Sequence, residues 1–196
     1  MKKTAVYRVV SAVLLLVSIV LGVFLYLTSQ SNAKMREELA SRNLANWNSL
    51  FSMTETLEGN IHSPEDIPDF SKYQNAVLYT VSDQLQPVFE GKSTKALRFL
   101  PASYDPLMQE LASADDTVEE ALLNEGMALY LDINAELKAI CDFVVTSSEE
   151  NANIKYELLD SQSDFSRQVQ KLIDDFCEQN GEELEAFFKE WNSKVK

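Results

Sequence analysis

The single histidine, His62, is the first residue whose side chain could do acid–base or metal chemistry. It lies in a polar stretch, residues 60–69, in which Glu65, Asp66 and Asp69 could join it in binding a cation. A structural zinc site needs several Cys or His ligands, and a Ser-His-Asp or Cys-His group would have to use this one imidazole. Because no such ligands lie nearby and the acids lack EF-hand spacing, we expect His62 to lie in a surface loop.

Adjacent carboxylates are the next candidates for acid–base chemistry. They are Asp115-Asp116, Glu119-Glu120, Glu149-Glu150, Asp174-Asp175 and Glu182-Glu183. Neighbouring residues of a helix do not share a face, so these pairs are not poised as acid and base, and we interpret them as solvated helix faces. The sequence also has no Gly-rich phosphate loop and no Glu-x-x-His pattern. We therefore expect no catalytic residue, no metal, no cofactor and no enzymatic activity.

The two cysteines, Cys141 and Cys177, lie beside apolar stripes of two long predicted helices. An exported domain would permit a disulfide between them. The midpoint of the two positions is residue 159. A turn at residues 160–164 would therefore bring them nearly level on antiparallel helices, whereas a turn at residues 147–153 would leave them out of register. The alternative is a pair of buried thiols, which behave as small hydrophobic side chains.

The charges fall almost entirely after the first apolar run. All 31 acidic residues come from Glu37 onward. Residues 34–196 contain these acids and 14 of the 17 basic residues, so they carry a net charge of −17. Such a surface repels nucleic acid and anionic lipid headgroups. We expect no nucleic-acid partner and interpret the charge mainly as solubilising.

The elements that must position these residues begin with an uncharged run at residues 9–27. As a helix it would be roughly 28 Å long, which matches the hydrocarbon thickness of a bilayer. The alternative is a cleaved signal peptide, but its apolar region is usually only about 7–15 residues long. The sequence therefore predicts a retained transmembrane signal-anchor, with the lipid bilayer as its first partner.

Three basic residues, Lys2, Lys3 and Arg8, precede this run. Positive residues favour the cytoplasmic side, so we expect residues 1–8 to form a short cytoplasmic N-terminus and residues 34–196 to lie outside the cytoplasm at the cell membrane. The reverse orientation is the alternative. Within the anchor, Ser18 and Gly22 form a small-xxx-small pair, which is a candidate contact for an anchor dimer.

The region 34–196 has the apolar periodicity of helices, and the whole chain has only five Gly and five Pro residues, which is sparse for a protein rich in turns. We predict helices at 34–59, 70–86, 92–100, 105–112 and 117–147, then a heptad-like apolar pattern from 158 to 176 and a last short helix that carries residues 184–191. The first has no breaker before it and can continue from the anchor. Pro87 and Pro101 should end helices, Asp105 and either Asp115 or Asp116 should cap them, Ser63 should cap a single turn, and Gly181 should be a stop.

Helices with one apolar stripe must bury it against each other. The expected fold class is therefore all-α, with a single N-terminal transmembrane helix followed by an acidic, extracytoplasmic helical bundle. The last segment carries Phe187, Phe188 and Trp191 on one face. It either folds back on the bundle, which we favour, or offers an aromatic interaction patch to a partner.

These features favour a non-enzymatic, membrane-tethered interaction or scaffold module at the cell envelope, with another envelope or membrane protein as partner. Two alternatives remain open. A small-molecule-sensing domain would need a pocket between helices with converging polar groups. A hydrolase would need a cleft holding His62 or a carboxylate pair with perturbed pKa values.

Overall fold

A computed structural model describes residues 2–85, 92–115 and 117–195 of this chain, with side chains from residue 14 and, in the third helix, at residue 99 and from residue 101 onward. Over these residues the fold is all-α, as the sequence predicts, and no strand occurs among them. The elements are α1 (Lys2–Asn60), a 3-10 turn (Pro64–Asp66), α2 (Ile67–Leu85), α3 (Lys92–Ser113), α4 (Glu120–Glu150), α5 (Ile154–Glu157) and α6 (Asp164–Lys194).

The chain divides into two units, Met1–Leu39 and Ala40–Lys196, and α1 contributes to both. The apolar run and the first helix predicted after it thus form one continuous helix, as the sequence predicts. Within the described residues, one helical segment, Leu14–Asn60, contains a stretch that is long and apolar enough to cross a membrane, and none of that stretch is buried. The second unit is the helical bundle.

The bundle part of α1 buries one stripe of side chains, with Asn46 and Met53 buried beside it. Its members follow alternating steps of three and four residues: Ala40, Asn43, Trp47, Leu50, Thr54, Leu57 and, just after the helix, Ile61. This spacing is close to 3.5 residues per turn and keeps one side of a helix against its neighbours. Burial of this stripe joins α1 to the bundle from Ala40 onward.

The four longer helices that follow complete the bundle. The Asn43 amide donates to the carbonyl of Leu158, beyond the end of α4, and Asn134 in α4 donates to the carbonyl of Thr54, so α1 and α4 are antiparallel. The ring of Tyr104 in α3 meets that of Tyr130 in α4 edge-on at 5.8 Å. We call the end of the bundle that contains Ala40 the entry end and the opposite end, with the Pro64–Asp66 turn and the start of α4, the far end.

Two predicted helix ends are wrong because tertiary packing outweighs local signals. α3 continues through Pro101 and Pro106, although each lacks a backbone N–H, and its stripe of Tyr104, Leu107, Met108 and Leu111 is buried. α6 continues through Gly181. A Cβ there would make only an ordinary contact with the Phe99 ring, at 3.4 Å. Gly181 therefore does not end the helix, and its only local effect is a lower helix propensity than that of alanine.

Two predicted caps are also corrected. The Asp105 carboxylate accepts a hydrogen bond from the Asn75 amide at 2.9 Å, so it ties α2 to the middle of α3 rather than starting a helix. The Asp115 carboxylate accepts from the backbone and hydroxyl of Thr117, and α4 begins only at Glu120. Asp116 and Pro87, the other predicted cap and breaker, lie outside the described residues.

Both polar segments considered for the turn between the last long helices belong to the connection. α4 ends at Glu150, α5 forms one turn, and α6 begins at Asp164 after an N-cap in which the Ser163 hydroxyl accepts from the Ser166 backbone N–H. The midpoint of this connection lies at residue 157. α4 and α6 are therefore antiparallel, with Glu136 level with Asn180.

Candidate functional site

The surface of α1 between residues 14 and 27 is the first candidate surface. Its large apolar side chains are between 46% and 66% exposed, on every side of the helix. The Ser18 hydroxyl donates to the Leu14 carbonyl at 2.9 Å, so this polar group is satisfied within the helix, and a Cβ on Gly22 would meet no atom within 4 Å. The pair therefore forms an open notch on this surface, and the anchor dimer contact stays a prediction.

The two cysteines lie at nearly the same level of the antiparallel pair α4 and α6, but both are thiols in the structure. Cys141 is fully buried on the α4 stripe, while Cys177 is half-buried beside Phe176 on the flank of α6. Burial raises the pKa of both thiols, that of Cys177 to about 12 with a smaller contribution from Asp174. Both are therefore unreactive at neutral pH, and the disulfide stays a prediction that a thiol count under denaturing, non-reducing conditions tests.

The aromatic residues near the C-terminus lie against the bundle. Phe187 and Trp191 are 3% and 2% exposed, and Phe188 is half-buried. The Trp191 indole N–H donates to the Glu110 carboxylate of α3 at 2.7 Å, which satisfies the one polar atom of this ring. This arrangement corresponds to the fold-back alternative. The three side chains do not form the exposed patch, because α6 continues through Gly181 and keeps them on its buried face.

His62 is exposed in the loop after α1, as the sequence suggests. The neighbouring Asp66 carboxylate accepts hydrogen bonds from the backbone N–H groups of His62 and Ser63, which lower its pKa. Asp66 therefore holds the predicted turn, in which Ser63 is the N-cap and Pro64 the first helical residue. No cluster of three or more His, Cys, Asp or Glu side chains suited to a metal occurs in the part of the chain that the structure describes.

A layer of polar side chains inside the bundle escaped sequence reasoning. The Tyr130 hydroxyl donates to the Gln74 side-chain carbonyl at 2.7 Å, and the neighbouring Tyr104 and Asn134 are also buried. Gln74 Nε2, Tyr104 Oη and Asn134 Oδ1 find no partner among the described residues. Burial raises the pKa of both tyrosines. Buried polar groups of this kind can specify one arrangement of helices, since any other arrangement leaves more of them unsatisfied.

A cavity opens at the far end, between the Pro64–Asp66 turn, the end of α3 and the start of α4. Its volume is about 530 Å³. Apolar side chains such as Leu111, Val118 and Leu123 line it together with Asn124 and three carboxylates: Glu65, Asp115 and Glu120. The volume falls in the range of small-molecule pockets, and the carboxylates would favour a ligand that carries positive charge.

A second depression, the α4–α6 groove, lies between the first half of α4 and the last third of α6, with a volume of about 320 Å³. Ala128, Leu129, Ala186 and Phe187 form its apolar part, and Glu125, Asp132 and Glu183 line it as the charged part. Hydrogen bonds from the Asn180 and Gln179 amides to the Glu136 carboxylate close the groove on the side of the entry end. An apolar floor with an acidic rim suits a cationic, amphipathic ligand.

Comparisons of this chain with protein-family models, with curated proteins and with solved structures found no match. No residue role can be carried over from a relative. Function is inferred below from the surfaces of the chain itself: the apolar surface of α1, the far-end cavity and the α4–α6 groove.

Proposed function

We propose that this chain is a single-pass membrane protein whose helical domain acts outside the cytoplasm as a non-enzymatic interaction module. The observation that carries this proposal is the change in α1. Residues 14–27 expose apolar side chains all around the helix, whereas from Ala40 onward the same helix buries one stripe against the bundle. A surface that is apolar on every side is suited to lipid, and a one-sided stripe is suited to a water-soluble bundle.

The side-chain chemistry between these two parts supports the partition. Residues 28–39 are mostly polar, with Lys34, Arg36, Glu37 and Glu38, and apart from half-buried Glu37 they are exposed. Two polar side chains on α1 at the apolar run are satisfied along the helix: Ser18 donates to the Leu14 carbonyl, and Gln30 donates to the Tyr26 hydroxyl. A helix with internally satisfied polar groups can enter a bilayer core without an unpaired donor.

Fractionation tests the membrane attachment. We expect the intact chain to sediment with membranes, to resist alkaline carbonate washing and to need detergent for extraction. Intact chain in the detergent-free soluble fraction would overturn the proposal. A soluble chain shortened at its N-terminus would instead support the cleaved signal peptide.

Cysteine labelling tests the orientation, and the chain is well suited to it because Cys141 is buried, Cys177 is half-buried, and both thiols have raised pKa values. Single cysteines would be introduced at the exposed Ser113 of the bundle and at Thr4 before the apolar run. With a membrane-impermeant maleimide on intact cells, we expect Ser113→Cys to be labelled and Thr4→Cys to be labelled only after lysis. The opposite pattern would place the bundle in the cytoplasm.

The interaction role is tested in cells by crosslinking followed by identification of captured proteins. We expect specific protein partners that a version of the chain unfolded by core substitution does not capture. A monomeric chain that captures no protein would remove the interaction role and leave only the membrane attachment.

The far-end cavity favours a second candidate function, the sensing of a small molecule. Its volume of about 530 Å³ and its three carboxylates fit an organic cation with an apolar body. In a thermal-shift screen of amines and other organic cations, a ligand of this cavity should raise the midpoint of unfolding for the wild-type chain. The shift should disappear in Val118→Trp, which fills the cavity; a shift that persists in this variant would place the ligand elsewhere.

A further inference from the structure

We propose that the α4–α6 groove docks a short cationic, amphipathic helix of a partner protein, an inference that rests on the proposed interaction role and names the surface and the chemistry. The groove combines an apolar floor with a rim of three carboxylates, and none of its lining residues is basic. This combination specifies a ligand with an apolar stripe flanked by Lys or Arg.

The floor of the groove is fixed by packing beneath it. Leu129 and Phe187 are 9% and 3% exposed, so only their edges reach the groove, while Ala128 and Ala186 are exposed on its two sides. Gly126 lets the Phe187 ring approach α4 so closely that a Cβ there would lie 2.7 Å from Cζ of the ring. The two small exposed residues leave room for another backbone, and a rigid floor lowers the conformational cost of binding.

The rim supplies the charge. Glu125, Asp132 and Glu183 are all exposed, and their carboxylates make no hydrogen bond or ion pair with the described residues. Two lysines on the same two helices are engaged by other carboxylates: Lys194 by Glu119 and Glu190, and Lys138 by Glu55 and Glu58. The rim carboxylates are therefore available to cations from another molecule.

The size of the groove limits the occupant. From Glu125 to Asp132 the groove follows α4 for about 10 Å, at about 1.5 Å per residue, which corresponds to two turns of a docked helix. A contact of this size belongs to weak, transient interfaces. A second copy of this chain is a poor occupant, because two surfaces from a region of net charge −17 repel each other.

The test uses the full chain in nanodiscs of zwitterionic phosphatidylcholine. The probe is a fluorescent synthetic helix of about 14 residues, long enough to be partly helical, with a leucine stripe flanked by lysines. Binding is followed by fluorescence anisotropy. The groove variant is Glu125→Gln with Asp132→Asn and Glu183→Gln, and the matched control is Glu149→Gln with Asp83→Asn and Glu178→Gln, three exposed acids outside the groove.

Both triple variants remove the same charge from the chain, so the difference between them reports the groove alone. From three exposed ion pairs we expect the groove variant to bind the probe roughly three- to thirtyfold more weakly than wild type, and the control to change by less than about twofold. The difference should shrink as salt is raised, because exposed pairs are screened. A probe with glutamine in place of lysine should lose the preference.

A pair of alanine variants tests the floor without changing charge. Ala128→Gln places a longer side chain in the groove, whereas Ala139→Gln places it elsewhere on the exposed face of α4. Only the former should weaken binding, and unchanged unfolding midpoints would show that both chains fold. Equal affinities for the two triple variants would overturn the proposal, because the probe would then sense net charge alone.

The outcome is separable from that of the proposed function. Co-elution of the chain with nanodiscs is measured before the probe is added, so a chain that stays outside them contradicts the membrane attachment and not the groove. A chain held in nanodiscs whose triple variants bind alike contradicts only the groove. Dimerisation that Ala128→Gln abolishes would assign the groove to a second copy of the chain and would also overturn the proposal.

Discussion

Gly126 lies where α3, α4 and α6 come closest at the far half of the bundle, and its replacement by alanine should destabilise the fold. A Cβ at this position would lie 2.7 Å from Cδ2 of Leu111 and 2.7 Å from Cζ of Phe187. Carbon atoms in good contact are about 3.5–4.0 Å apart, so each neighbour would have to retreat by about 1 Å. The Phe187 ring has little room to do so, because Trp191 packs on it at 5.5 Å and is itself bonded to Glu110.

The size of the effect follows from two opposing contributions. Overpacking of a well-filled core costs about 1–3 kcal/mol, and alanine is better than glycine in a helix interior by about 1 kcal/mol. Gly181→Ala is the matched control, since a Cβ there makes only an ordinary contact with Phe99 and gains the same propensity. The two variants should therefore differ by about 1–3 kcal/mol, with Gly181→Ala the more stable.

Thermal unfolding of the full chain in mild detergent, followed by circular dichroism, measures this difference. For a domain of this size about 2–4 °C corresponds to 1 kcal/mol, so we expect the midpoint of Gly126→Ala to lie roughly 2–12 °C below that of Gly181→Ala. Equal midpoints, or a higher midpoint for Gly126→Ala, would refute the close packing of these three helices.

Three further predictions concern buried polar atoms. Trp191→Phe removes the donor to Glu110 and should lower the free energy of unfolding, measured by denaturant titration, by about 1–3 kcal/mol. Glu110→Gln keeps an acceptor for the indole N–H and should lower the free energy of unfolding by less. Tyr130→Phe should lower the free energy of unfolding by about 1–3 kcal/mol because it leaves the Gln74 carbonyl without its donor. Adding Gln74→Leu should recover part of that loss. If the effects of the two substitutions simply add, this pairing is contradicted. Burial holds the pKa of the Cys177 thiol near 12, above its usual 9.0, so the folded chain keeps a proton that the unfolded chain releases. The free energy of unfolding should therefore fall between about pH 9 and 12, and it should fall less steeply in Cys177→Ala. Equal slopes of stability against pH in the two chains would contradict the burial.

The all-α class and several elements could be read from the sequence because their signals are local. The Ser63-Pro64 turn needs only a cap, a fixed φ and the Asp66 carboxylate three residues later. The start of α2 is read to within three residues, since its apolar spacing is regular. The failures at Pro101 and Gly181 have a common cause: each residue weakens a helix by an amount that burial of the flanking stripes exceeds.

The candidate groove could not be predicted from the sequence, because it depends on how two helices pair. Glu125 and Asp132 are ordinary exposed acids on α4, and Glu183 is one of a run of acids on α6. Only the antiparallel register that sets Glu136 against Asn180 brings the three carboxylates to one depression. A weak signal does exist in the alanines: Ala128 and Ala186 interrupt charged surfaces, and a small exposed residue among acids is compatible with close approach of a partner.

α1 carries two kinds of surface on one helix. The described helix runs from Lys2 to Asn60 and contains no proline. Helix formation requires only that backbone groups pair along the chain, a condition equally met in lipid and in water, so the division between the units is made by side chains alone. The buried stripe starts with Ala40, Asn43 and Trp47, directly after the exposed polar residues 28–39. These three residues therefore set the point on α1 at which burial in the bundle begins. Moving the start of the bundle along α1 therefore requires changes in the buried stripe and not in the apolar run.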